Sequence, residues 1–361
     1  MIALYLGVFF PPLSLFGLFV RGSTIASASP KTMVSVIVPV YNGEKTIADC
    51  IRHLESQSLR PTEIIVVDDG SRDKTPIILE ELSRIYSNIT VVKNPRNMGK
   101  CASINSVLNQ VRFPYMAVVD SDTNLGVDYL RNVLGAFQRE DVVGVSGMVL
   151  PIGSETAISK ARLIEYLHGQ STYKNFQNRV GTIFVAPGCC TVWRSSWIKE
   201  RGIPTETIVE DMDLTWESQI DGGKIFYVQD AVAYTAEPDS FRKYVHQIDR
   251  WFSWRPVVEK HAKNLTNGLK FLLTWIFLES IGYAFWLGLT LHFLITGNYL
   301  SVFILLSIDL LLVSLISFYQ GRKIRLSVRS VLSSIPFYYL LKLPTILVFW
   351  KSLISPKKVG W

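Results

Sequence analysis

The sequence predicts an α/β fold, a doubly wound sheet carried between membrane segments at the two ends of the chain. Three observations lead there. From Met33 to Val119, short apolar runs alternate with helix-like stretches. Nearly uncharged stretches of membrane-spanning length lie near both termini. The hydrophobic fraction is 48%, high for a soluble protein, and the excess sits at those ends while the middle reads as ordinary globular sequence.

The runs are Val34-Ser-Val-Ile-Val38, Glu63-Ile-Ile-Val-Val67, Ile89-Thr-Val-Val92 and Tyr115-Met-Ala-Val-Val119. Continuous apolar runs of this length read as parallel strands covered on both faces. Residues 45–58, 76–86 and 100–111 read as the helices between them, which gives βαβαβαβ. In such sheets ligands collect beyond the C-terminal ends of the strands, so chemistry is expected just after each run. At 361 residues the chain holds one soluble domain, expected over 33–255, beside its membrane segments.

Residues 1–22 read as an N-terminal anchor: positions 2–20 carry no charge, and Arg21 and Lys31 follow on the side expected to face the cytosol. Pro11 and Pro12 would kink that helix. A cleaved signal peptide is the rival, because Ala26-Ser-Ala28 resembles a cleavage site, although no basic region precedes the apolar stretch. The C-terminal membrane region is expected over 267–351. Two clear spans, 269–292 and 300–319, flank the turn Thr296-Gly-Asn298, and the basic run 321–329 returns to the cytosol. A third segment, 331–350, is interrupted by Pro336, Lys342 and Pro344, so it reads as either interfacial or spanning.

The net charge of +7 suits anionic partners, whether nucleic acid, acidic lipid or a diphosphate, without choosing among them. Cys50, Cys101, Cys189 and Cys190 have neither zinc-site spacing nor the density of a disulfide scaffold, and read as free thiols.

Five patterns carry candidate chemistry. Asp68-Asp-Gly-Ser71 follows the second run, where a strand-end carboxylate accepts from an imide N–H or a ribose hydroxyl; a helix N-cap explains the same residues. Asp120-Ser-Asp122 ends the fourth run, and two carboxylates so placed hold a hard divalent cation that also grips a diphosphate. Gly99 and Lys100 open a helix and suit a phosphate, or form an ordinary loop. Val209-Glu-Asp-Met-Asp213 offers a general base or a helix N-terminus rich in acids. Gln247, Arg250 and Trp251 share one helical face that suits a diphosphate beside a sugar ring, or a membrane surface.

In order, Pro39-Val-Tyr-Asn42, Asp68-Asp-Gly-Ser71, Gly99-Lys100, Asp120-Ser-Asp122, Glu210-Asp211 and Gln247-x-x-Arg-Trp251 resemble the family 2 inverting glycosyltransferases. They look most like the membrane-integrated branch that makes chitin, cellulose, hyaluronan and poly-N-acetylglucosamine. The resemblance implies a nucleotide-sugar-binding domain of GT-A type that ends in an interfacial helix. Tyr41 and Asp69 would lie at the uracil, with Asp68 beside them and Lys100 near the nucleotide. Asp120 would contact ribose and metal, Asp122 would coordinate Mg²⁺ or Mn²⁺, and Asp211 would be the base. Gln247, Arg250 and Trp251 would clamp the diphosphate and floor the acceptor site. Val209 stands where the family usually has Thr or Ser, and Pro187 stands where it often has Ser before a glycine; both departures bear on the acceptor.

The implied activity is inverting, metal-dependent transfer from a UDP-sugar, UDP-GlcNAc first, to a growing polysaccharide or a glycan or lipid-linked acceptor. The resemblance further implies an integral protein of the plasma membrane, with a cytosolic catalytic domain, lipid as a partner and no nucleic acid. The alternative is a polyprenyl-phosphate glycosyltransferase making a lipid-linked sugar, a class that generally lacks the Gln-x-x-Arg-Trp helix. A basic membrane-surface binder with structural carboxylates predicts no metal-dependent nucleotide binding.

Overall fold

The computed structural model describes residues 28, 29, 31–153 and 155–354. The expected anchor at 1–22 lies outside the described residues. Strand β1 (Val34–Val40) is buried along its whole length, and its side chains alternate: Val34, Val36, Val38 and Val40 enter one core and Ile37 the other. Helix α1 (Ile47–Glu55) buries Ile47, Cys50, Ile51 and Leu54, a single stripe at helical spacing. Next come β2 (Glu63–Asp68), α2 (Thr75–Ile85), β3 (Ile89–Lys93), α3 (Lys100–Val107) and β4 (Tyr115–Val118). All four expected strands pair in parallel, β3 on β2, β2 on β1 and β1 on β4. The helix expected over 100–111 turns 3-10 at Leu108–Gln110.

After β4 the sheet changes character. Short β5 (Thr123–Leu125), helix α4 (Tyr129–Gly135) and the long β6 (Val142–Pro151) lead into one continuous helical stretch. That stretch is α5 (Ala157–His168), a π-helical turn Gly169–Tyr173, and α6 (Lys174–Val180). Beyond it lie β7 (Val192–Arg194), α7 (Ser195–Arg201), α8 (Glu210–Ile220) and β8 (Lys224–Thr235). The sheet is mixed, with eight strands in the order β3-β2-β1-β4-β7-β6-β8-β5. Strand β7 runs antiparallel between β4 and β6, and β5 antiparallel to β8.

Helices α9 (Phe241–Trp251) and α10 (Arg255–His261) lead from β8 to the apolar helices α11 (Asn267–Ile295) and α12 (Tyr299–Lys323). The final segment is α13 (Val328–Ser334), a 3-10 turn at Ile335–Phe337 and α14 (Tyr338–Ile354). Three helical stretches are long and apolar enough to cross a membrane, the third being Val328–Ser352. Of the interruptions read in that third segment, Pro336 falls in the 3-10 turn, Pro344 lies inside α14, and Lys342 is absorbed by packing. Lys342 is buried against Asp309 of α12 at 2.7 Å, with the rings of Trp286, Tyr283 and Tyr338 within 5 Å of its ammonium.

The apolar helices are docked on the α/β sheet. Gln229 of β8 accepts from Lys323 and donates to Gln320 of α12, and Tyr244 of α9 bonds Thr345 of α14 at 2.7 Å. One apolar core runs from the sheet face that carries α3 and α5 into α11, α12 and α14; the other core fills the opposite face beneath α1 and α4.

Candidate active site

The strand-end rule locates the site. Beyond the C-terminal end of β4 lies a cavity of about 270 Å³, lined among others by Lys100, Asp120, Asp122, Glu210, Asp211, Gln247, Arg250 and Trp251. Seven of these eight were read from the sequence as site residues, and Glu210 as part of the acid cluster.

Asp120 and Asp122 bracket the turn between β4 and β5. Lys100, at the start of α3, reaches across to Asp120 Oδ1 at 2.7 Å and Glu210 Oε1 at 3.6 Å, and donates to the Gly188 carbonyl at 3.1 Å. Burial works against that ammonium, but Asp120 and Glu210 outweigh it and hold its pKa above the ordinary lysine value. Asp122 is pushed up to about 6, first by burial and then by the charge of Asp120. Glu210 is raised as well, by burial first, with Lys100 opposing and Asp211 adding repulsion. The cluster therefore holds more negative charge than Lys100 neutralises.

That imbalance fits a divalent cation. Magnesium and manganese take hard oxygen ligands, and magnesium commonly uses one or two carboxylates with the remainder from water and substrate phosphates. Among the described residues no group of three or more His, Cys, Asp or Glu side chains forms a complete cage. Asp120 and Asp122 thus suit a cation whose coordination the substrate completes.

Asp211 and Asp213 part company on α8. Asp211 lines the cavity, its Oδ2 accepting from the Gly188 N–H at 3.2 Å and its Oδ1 from the Met212 N–H at 2.8 Å. Each oxygen keeps a lone pair for a further proton donor. The approach at Gly188 is close, since a Cβ there would lie 3.3 Å from both Asp211 Cβ and Lys100 Nζ. Asp213 is buried on the other side, bound by His261 Nε2 at 2.6 Å, Lys260 Nζ at 3.0 Å and Thr207 Oγ1 at 3.1 Å. It ties α8 to α10.

On α9, Gln247, Arg250 and Trp251 face the cavity together. Arg250 is exposed and forms no ion pair among the described residues, and the buried Gln247 Oε1 has no hydrogen-bond partner. Trp251 is propped from behind: the fully buried Arg162 guanidinium lies 4.8 Å from the indole centroid. Arg162 is itself held by Glu237 at 2.8 Å and Glu165 at 3.0 Å.

Tyr41, Asp68 and Asp69 stand apart from that lining, at the ends of β1 and β2. Tyr41 is exposed. Asp68 accepts from the Ser71 N–H at 2.9 Å. Asp69 takes the N–H groups of Met98 and Gly99, each at 2.8 Å, and the Asn94 amide at 2.9 Å, so its carboxylate pins the loop that delivers Lys100. Gly70, at φ +74°, allows that loop to close over it, because a Cβ would fall 2.8 Å from the Arg96 backbone.

Sequence motifs missed the wall made by the helical stretch across the π turn: Gln170, Tyr173, Lys174 and Gln177 all line the cavity. A π turn often marks a functional site. Tyr173 donates to Glu279, the internal acid of the first span, which was the one available signal.

The fold is GT-A-like, an α/β sheet with paired carboxylates past a central strand, and the class it defines is the glycosyltransferase. Residues 35–202 match glycosyl transferase family 2. Poly-beta-1,6-N-acetyl-D-glucosamine synthase of Staphylococcus epidermidis is 26% identical over 220 residues, 60% of this chain and 53% of that protein. The same synthase of Staphylococcus aureus (strain COL) is 24% identical over the same shares. The chain spans about half the length of these relatives. A mannosyltransferase from Pyrobaculum calidifontis, solved with GDP-Man and Mn²⁺, shares the fold: TM-score 0.61 at 16% identity, over 95% of this chain and 98% of that one.

Proposed function

We propose that this chain is a membrane-integrated, inverting glycosyltransferase that moves a sugar from a UDP-sugar to a glycan or lipid-linked acceptor, with UDP-GlcNAc the first donor to test. The single observation that carries the reading is the cavity in which Asp120 and Asp122 face Asp211 across Lys100 and Gly188. The name of the staphylococcal relatives supports N-acetylglucosamine, and the Gln247-x-x-Arg-Trp251 face on the cavity supports the polysaccharide synthase over the polyprenyl-phosphate enzyme.

Asp120 and Asp122 would hold the divalent cation, whose charge, when bound, offsets the charge that builds on a departing diphosphate. Lys100 and Arg250 add fixed positive charge on the same groups. Asp211 takes the proton of the acceptor hydroxyl, steadied by the Gly188 N–H, and Trp251 gives a flat wall for a sugar ring. A single displacement inverts the anomeric carbon. The apolar helices α11, α12 and α13–α14 would seat the enzyme in the plasma membrane with the cavity on the cytosolic side.

The test is purified protein in detergent with manganese and a panel of UDP-sugars, following UDP release with and without acceptor. Release from one UDP-sugar above the rest is the expected result. No release from any of them, under conditions where the protein is folded, overturns the reading.

A further inference from the structure

The cavity holds a cation that the proposed chemistry leaves unused. Lys174, the first residue of α6, lines the cavity and is only 8% exposed. Its Nζ donates to the Val185 carbonyl at 2.8 Å, which occupies one of three ammonium donors, and it makes no ion pair among the described residues. A buried ammonium without an anion is unfavourable. Lys100 nearby shows the contrast, since Asp120 and Glu210 balance it.

Charged groups of the cavity act on Lys174. Burial pushes its pKa down to about 8, opposed by Cys190, Asp211 and Cys189 in that order, and the Tyr227 ring lies 5.7 Å away. Of the cavity carboxylates, Asp211 is the one whose charge acts on it. Lys174 and Asp211, the acceptor base, line the same cavity. Lys174 also belongs to the wall nearest the membrane. The adjoining Tyr173 is bonded to Glu279 of α11, and α5, continuous with it, packs on α12, α13 and α14.

We propose that Lys174 forms an anion subsite that holds the phosphate of a lipid-linked acceptor, presenting that acceptor to Asp211. This rests on the glycosyl-transfer reading and names its acceptor class: a membrane lipid phosphate bearing the glycan to be extended. The phosphate supplies the counter-charge that Lys174 lacks, and the lipid chain leaves toward the apolar helices.

The experiment titrates the full chain in detergent, with UDP and manganese present, with citronellyl phosphate, the uncharged citronellol and inorganic phosphate. The lipid phosphate should bind about tenfold or more tightly than either of the others. Lys174→Met should lose that margin, Lys174→Arg should keep most of it, and UDP affinity should stay at the parental value in both. Should the Met variant not fold, the parent decides: its affinity for the lipid phosphate should fall as pH rises from about 7 to about 10, as the ammonium discharges. Equal binding of lipid phosphate and citronellol, equal binding of lipid and inorganic phosphate, a Met variant that binds like the parent, or a flat pH profile each overturns the subsite. Failure of the parent to bind UDP at all would instead strike the glycosyl-transfer reading, so the two failures are separable.

Discussion

Asp211 and Asp213 lie two residues apart on α8 and meet opposite surroundings, one facing the cavity and one locked between His261 and Lys260. Asp211→Asn should leave UDP affinity within a few-fold of the parent and lower turnover by about two to four powers of ten, the usual worth of a general base. Calorimetry and UDP-release rates on one preparation check this; near-parental turnover would move the base elsewhere. Asp213→Asn should act on stability, by about 3 kcal/mol, because it leaves buried partners uncompensated. Burial opposes the Asp213 charge, yet the hydrogen bonds from His261 and Lys260 more than offset it, so its pKa is lowered on folding. A lowered carboxylate pKa stabilises the fold above the unfolded value, and that contribution fades as pH falls through the folded one. Denaturant melts should therefore show the parent and Asp213→Asn converging toward acid pH, with a constant gap ruling the linkage out.

At the scale of elements, α9 joins the cavity to the buried Arg162 network. Trp251→Ala removes a cavity wall and a cation–π partner together, so it should lower transfer far more than UDP affinity and also cost about 1–2 kcal/mol of stability. Arg250→Ala, which alters an exposed guanidinium, should weaken UDP binding and transfer together. Transfer, affinity and thermal unfolding measured on the same samples distinguish these outcomes; a stable Trp251→Ala enzyme working at the parental rate would refute the wall. Elements differed in how well they could be read from residues. The first four strands were legible because each is a short, largely apolar run. Strands β5 and β7 have three residues each, too few to establish a period. Strand β6 contains Gly144 and Gly147, which suggest breaks; in the fold they make room for the Trp193 and Tyr129 rings. Asp120, Asp122 and Asp211 were legible because strand ends and acid clusters are local signals. Tyr173 and Lys174 were not, since their meaning depends on Glu279 and on a cavity assembled from distant segments.

Across the whole molecule, the sheet and the three apolar helices share one core, so the cavity is built where the α/β fold and the apolar helices meet. Their join at Gln229, Gln320 and Lys323 links residues about ninety positions apart, beyond the reach of any sequence period. The central claim is that this cavity binds a nucleotide diphosphate through a cation held by Asp120 and Asp122. Asp122 tests it most directly, because burial and the Asp120 charge push its pKa up to about 6 and leave it poised for a cation. The measurement is a calorimetric titration of UDP into parent and Asp122→Asn, with and without manganese, from about pH 5 to about pH 8. The account predicts that the parent binds UDP more tightly with manganese, that this gain fades as pH falls through about 6 and Asp122 takes a proton, and that Asp122→Asn has no gain at any pH. A manganese dependence that survives unchanged in Asp122→Asn would contradict it.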